Sequence, residues 1–499
     1  MNTERLAREF PWLRPSAKFL PPRAFAWLAL GVAVFIVYGS LVPFKYRWRP
    51  FDDAVHSFRW VLEHRTGIQS RTDFLANFAL GLPLGFALTA WRLLDRAPSI
   101  ARRFAVGVAV WPACTLFAAA VEFSQLYFPN RTCSGSDILA QSLGAAVGLF
   151  AYLFAGQRIV DQLRARFGPQ SEAGPAIGWL AVLVAAVALA QWLPLDLSAS
   201  PADWVRKIKD GTATLSPFAE LDARPDLPAW RKGQVWLELA GLYLCVGLVL
   251  AFAPIARPVR IEGLPPWMPV ARAAVRVFGL GLAFAAVLEA GQFPVMSRSP
   301  SATDVLIGGA AVLLGWLVAT GMGVNATGGG LDIEAALILG QAWLLWLAIA
   351  AWLPFEFDGS IGGARFAELN WLPFAAAQER NYLGALDEAV SKTILALPYG
   401  AVVAALGPAA RANRRQRIAV GAALAGVLTL VLEAGQLFMP ERVASPSDVI
   451  YAVIGGALGA MVTLRLRTGE AADRVTTSLE VTPPPMARLQ VDDPSRVIR

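Results

Sequence analysis

Residues 122–137 read EFSQLYFPNRTCSGSD, residues 289–304 read EAGQFPVMSRSPSATD, and residues 433–448 read EAGQLFMPERVASPSD. All three follow one pattern, Glu-x2-Gln-x5-Arg-x5-Asp. It sets Glu122, Gln125, Arg131 and Asp137 in register with Glu289, Gln292, Arg298 and Asp304, and with Glu433, Gln436, Arg442 and Asp448. A glycine follows each aspartate at the same distance, as Gly148, Gly315 and Gly459. Four residue types at fixed spacing, three times over, mark an internal repeat.

The segments around the motif are apolar. Of the 499 residues 56% are apolar and 16% charged, against roughly 45–50% and about 25% in soluble domains. The excess gathers in runs of about 20 residues, long enough as helices to cross the hydrocarbon of a bilayer. Spans are predicted at Ala24–Phe44, Leu75–Leu94, Phe104–Phe128 and Asp137–Ala155, then at Ile177–Leu195, Val235–Ile255, Ala274–Phe293 and Asp304–Val324. The last four are Ala335–Phe355, Ala389–Leu406, Ile418–Phe438 and Asp448–Leu464. The expected fold is an all-α, polytopic membrane helix bundle of about twelve helices, arranged as three parallel four-helix repeats. The units fall at 24–157, 173–324 and 333–466, after a basic tail at 1–23 and before a disordered tail at 467–499.

Other positions repeat as well. First helices close on Pro43, Pro194 and Pro354, and second helices carry Pro83-x-Gly85 and Pro398-x-Gly400, with a weaker counterpart at Val246-Gly247. An even helix count per unit gives every unit the same orientation. The turns Arg96–Arg103, Arg158–Arg166, Arg257–Arg272 and Arg411–Arg417 are basic, which places both termini in the cytoplasm. The net charge of +7 orients helices in this way and is no sign of nucleic acid. In the first long loop, residues 52–62 put apolar side chains on one helical face, as an interfacial helix would. His56 and His64 are the chain's two histidines and read as solvated groups of that helix. Cys114, Cys133 and Cys245 stand at no metal-ligand spacing. No metal or cofactor site is read.

Within the motif, Glu122 and Gln125 share a helix face, about 9 Å from the helix end for the glutamate. A carboxylate at that depth costs up to roughly 3 kcal/mol and needs a partner. Arg131, on the following turn, is the basic residue in reach and can fork across Glu122 and Asp137. Such a cluster serves either to bind a ligand or to pin the hairpin, and the aspartate reads first as a helix cap. The first unit adds Asp73 and Asn77 where the second has Val235 and Leu239 and the third Glu388 and Lys392. The first unit is therefore expected to keep the fullest polar set.

Asp73-x3-Asn77, Leu82-Pro83-x-Gly85, Glu122-x2-Gln125, Arg131, and Asp137 with Gly144 and Gly148 together resemble the VanZ-like family of bacterial membrane proteins, named after a teicoplanin-resistance protein. Gln141 stands where that family has Asn. The resemblance implies a role in the cell envelope that affects glycopeptide sensitivity, and it carries no catalytic mechanism. Three functional classes follow. The first is a non-catalytic protein of the plasma membrane that binds a lipid or cell-wall precursor headgroup. The second is a transporter with a pathway between the units. The third, a membrane-embedded hydrolase or transferase, ranks last because no nucleophile or histidine accompanies the carboxylates. The bilayer is the one partner the sequence indicates.

Overall fold

The computed structural model describes residues 20–41, 44–67, 71–167, 175–193, 198, 200–219, 228–259, 263, 265, 267–321, 333–369, 371, 382–406 and 413–481. The tail before residue 20, the turn Ala326–Asp332 and the tail after residue 481 lie outside these. In the first segment the helices are α1 (Pro22–Leu41), α2 (Phe51–His64), α3 (Arg71–Leu93), α4 (Ile100–Gln125) and α5 (Gly135–Ala151). A π turn at Tyr152–Gly156 leads from α5 into α6 (Gln157–Phe167). The second segment holds α7 (Pro175–Trp192), α8 (Pro201–Lys209), α9 (Ala229–Leu250), α10 (Trp267–Gly291) and α11 (Ala302–Gly321). The third holds α12 (Ile333–Trp352), α13 (Gly362–Glu368), α14 (Tyr382–Ala405), α15 (Arg414–Gln436) and α16 (Pro446–Val481).

Every predicted span coincides with a helix, and the molecule is a polytopic helical bundle. Among the described residues ten helices are long and apolar enough to cross a membrane by length and composition. Of the other two, α7 is apolar but shorter, at Ala176–Trp192, and α14 carries Asp387, Glu388 and Lys392 in its first half. The helix expected at 52–62 is α2, with Ala54 and Val61 buried and its charged residues outward. Phe51 and Phe58 set their rings edge-on against Phe123 of α4. The shorter α8 and α13 lie at the same place in their own segments. The last helix runs beyond its expected end at Leu464, because no proline interrupts the sequence between Pro446 and Pro483.

One contact recurs in each segment. A Cβ on Gly85 would collide with the Ala145 carbonyl, and one on Gly148 with that of Leu82. Gly247 and Gly315 stand in the same relation to Val312 and Leu244, and Gly400 and Gly459 to Gly456 and Leu397. In each segment the second and fourth spans, α3 with α5, α9 with α11 and α14 with α16, therefore touch backbone to backbone, as small residues allow inside a bilayer. Two of the apolar cores among the described residues are the largest. One is built wholly from residues 25–160 of the first segment. The other joins the second and third segments through Tyr243, Cys245, Trp343, Ile394 and Tyr399.

Gly148→Leu forces Leu82 and its helix aside, overpacking that costs about 1–3 kcal/mol. A Cβ on Gly31 meets nothing within 4 Å. Gly148→Leu therefore lowers the thermal midpoint of the detergent-purified protein, followed by size-exclusion fluorescence, while Gly31→Leu leaves it unchanged.

Candidate functional site

Each motif glutamate ends up against the start of the helix that follows it. Glu122 sits one turn before the end of α4 and is 1% exposed. Its Oε2 accepts the backbone N–H of Ser134, at 2.8 Å, and Ser134 is the residue that opens α5. Glu289 does the same for Ser301 at 2.9 Å, before α11, and Glu433 for Ser445 at 2.7 Å, before α16. These N–H groups have no intrahelical partner, and a hydrogen bond made here contributes about 0.5–1.5 kcal/mol net. Gln292 and Gln436 donate to the outer oxygen of their glutamates, at 3.0 and 3.3 Å. Gln125 is buried beside Glu122, and its Oε1 has no hydrogen-bond partner among the described residues.

The cap was expected from the aspartates. It comes from the glutamates instead, joined in the second segment by the Ser301 hydroxyl, which accepts the Asp304 N–H at 3.3 Å. Ser134 makes no cap bond with its own side chain. Asp137, Asp304 and Asp448 each lie in the first helical turn, where a carboxylate complements the helix dipole.

The arginines differ from expectation too. None forks across its own glutamate and aspartate. Arg131 donates from Nη2 to the Gly39 carbonyl at 2.5 Å. Arg298 donates to the carbonyls of Leu193 at 2.6 Å and Ala190 at 2.8 Å. Arg442 reaches Leu353 at 2.8 Å and Ala350 at 3.0 Å. Gly39, Ala190 and Ala350 are matching positions in the last turns of α1, α7 and α12. A guanidinium has five donors and satisfies several carbonyl groups together, and its charge suits the negative end of a helix. Arg131 Nε has no partner among the described residues; the carbonyl matching Leu193 and Leu353 is that of Val42, which lies outside them.

Two further basic residues, which the sequence reading missed, finish the same turn. Lys207 of α8 donates to the carbonyls of Gln292, Val295 and Arg298, at 3.1, 2.5 and 2.8 Å. Arg365 of α13 donates to those of Met439, Pro440 and Arg442, at 2.6, 2.7 and 2.5 Å. Lys207 and Arg365 lie at unequal distances from the prolines that close the first helices, so spacing does not reveal their equivalence.

The second helices separate the three copies. In the first, Gln141 donates to Asn77 Oδ1 at 2.8 Å, Asn77 donates to the Asp73 carbonyl at 3.1 Å, and Asn77 also lies within hydrogen-bonding reach of Asp137. In the third, Lys392 takes the place of Asn77 and pairs with Asp448 at 3.2 Å. The second has Leu239 there. One turn on, Tyr243 is fully buried near Glu289 and Asp304, its hydroxyl unpartnered among the described residues. Contacts between segments add Asp387 of α14, which pairs with Arg298 at 2.6 Å, and Trp230 of α9, whose ring lies 5.6 Å from the Arg442 guanidinium.

Arg298→Ala removes two carbonyl bonds and the Asp387 pair together. It lowers the thermal midpoint in detergent more than Arg131→Ala does, and Arg298→Lys recovers only part of the loss because an ammonium lacks the planar fork. Cys133 lies on the turn between Arg131 and Ser134. Burial, with the Glu122 carboxylate next, pushes its thiol up to about 12. The nucleophilic thiolate is then roughly one part in 100,000 at neutral pH, so mass mapping finds Cys133 unmodified by maleimide in the folded protein and modified after unfolding.

The VanZ/LLP1 family profile matches residues 23–156 and 342–467. No curated protein and no solved structure matches the chain. The two matched stretches contain the whole glutamate, arginine and aspartate arrangement of the first and third segments. Together they span more than half of the sequence, and the chain belongs to the VanZ/LLP1 family.

Proposed function

We propose that the chain is a multi-pass protein of the bacterial plasma membrane, built of three tandem VanZ-like units with both termini cytoplasmic, that holds a lipid or lipid-linked cell-wall precursor between its units. In this reading the middle segment is a diverged copy. It lies outside the family matches, yet Glu289 and Arg298 make the same bonds as their counterparts.

The observation that carries the reading is an apolar cavity of about 750 Å³ where the three segments meet. Phe35 of α1, Leu183 of α7, Leu248 of α9, Gly340 and Trp343 of α12, and Leu458 of α16 border it. Water gains nothing in a space lined this way, whereas hydrocarbon chains fill it and bury its apolar surface. Tyr399 also borders the cavity, and its hydroxyl has no hydrogen-bond partner among the described residues. An ester or phosphate oxygen of a lipid would satisfy it. The arginines of the second and third segments favour this arrangement over headgroup capture, since each donates to two carbonyls at the end of its first helix. Retention of a lipid-linked precursor would in turn alter glycopeptide (teicoplanin) sensitivity.

Gly340 offers the test, because a Cβ there meets nothing within 4 Å. Gly340→Trp fills the cavity without displacing backbone. Lipids copurified with wild type and variant are compared by mass spectrometry. A lipid class depleted several-fold in the variant at an unchanged thermal midpoint supports the proposal, and identical lipid complements reject it.

A further inference from the structure

A second, smaller cavity of about 60 Å³ lies where α9 and α12 meet α14, α15 and α16. Its lining is unlike that of the first. Glu238, Lys392, Glu433, Gln436 and Asp448 face it, among Leu347, Leu395 and Leu432. A water needs roughly 10–15 Å³ of such space and polar partners, so this volume is large enough for a few waters.

The charges in it do not balance. Lys392 pairs with Oδ2 of Asp448. Asp448 is 4% exposed, and its Oδ1 has no hydrogen-bond partner among the described residues. The Glu433 and Asp448 carboxyls lie within hydrogen-bonding reach of each other. Ionised carboxylates only accept, so two of them in contact cannot bond until one carries a proton. Glu238, half-buried on α9, acts on both Lys392 and Arg442. Three carboxylates therefore face two cations, and a buried charge without a counter-charge is strongly unfavourable. The remaining charged neighbours do not correct the deficit. Asp387 of α14 is held by Arg298. Glu388 of the same helix acts on Tyr451 of α16. Arg231 and Glu441 act on Arg442 with opposite signs. From α12 only Leu347, Ala350 and Ala351 line the cavity.

We infer that this cavity is a proton-binding site, in which one proton is held between Glu433 and Asp448. The bound proton converts one carboxylate into a donor, gives Asp448 Oδ1 its partner and brings the group to neutrality. The site joins a helix of the second segment to four of the third, so protonation bears on how the two segments pack.

The test uses the full chain in detergent. A folded protein that holds one more proton than its unfolded chain loses stability as pH rises. The thermal midpoint of the wild type therefore falls as pH rises above the ordinary carboxyl range. Glu433→Gln, whose amide stands in for the protonated acid, shows a slope smaller by about one proton, and the infrared spectrum loses one protonated-carboxyl C=O band. Lys392→Met, which removes the ammonium, increases the slope by about one proton. An unchanged slope in both variants overturns the inference. So does a wild-type midpoint that drops when sodium chloride is replaced by choline chloride at constant pH, since a sodium ion would then supply the missing charge.

Discussion

A helix that ends inside or at the edge of a bilayer leaves N–H and C=O groups that lipid cannot satisfy. That constraint organises this protein. In each segment one glutamate accepts the N–H that opens the fourth helix, and one arginine donates to the carbonyls that close the first. Glutamate and arginine sit nine residues apart in sequence and serve opposite ends of different helices. The turn between them is in turn held by Lys207 in the second segment and by Arg365 in the third.

The helices were legible in the sequence because crossing a bilayer imposes length and apolarity on each one separately. The triple motif was legible because identical spacing needs no structure to recognise. The partners of the motif were not. Charge complementarity alone pairs Arg131 with Glu122, since opposite charges a short way apart in sequence are the natural match. The fold turns the guanidinium to Gly39 instead, a carbonyl ninety-two positions away in sequence. Backbone groups carry no signature in a sequence, so contacts to them are the part that cannot be read. Lys207 and Arg365 stayed hidden for the same reason, and Asp387 because its partner belongs to another segment.

Repetition of the frame leaves the second helices free to differ. Asn77, Leu239 and Lys392 occupy matching places and give three different interiors: an amide chain to Gln141, an apolar stretch beside Tyr243, and an ion pair with Asp448. Asp73 and Asn77 marked the first copy as the one with the fullest polar set. The cavity with the most charge around it forms in the third, where Glu238 of the second segment completes it. Charge at this depth is affordable only because the frame around it is already satisfied.

The glycine contacts bear on how the molecule can move. Where Gly148 seats on the Leu82 carbonyl and Gly85 on that of Ala145, neither helix can slide past the other without driving a side chain into backbone. Each pair of second and fourth helices is thus a clamp that translates as one body. Displacement is left to the seams between clamps. One such seam runs between the core of residues 25–160 and the core shared by the later segments, and the π turn at Tyr152–Gly156 lies on the chain just before it is crossed. A looser helical turn of that kind is a place where the backbone bends at low cost.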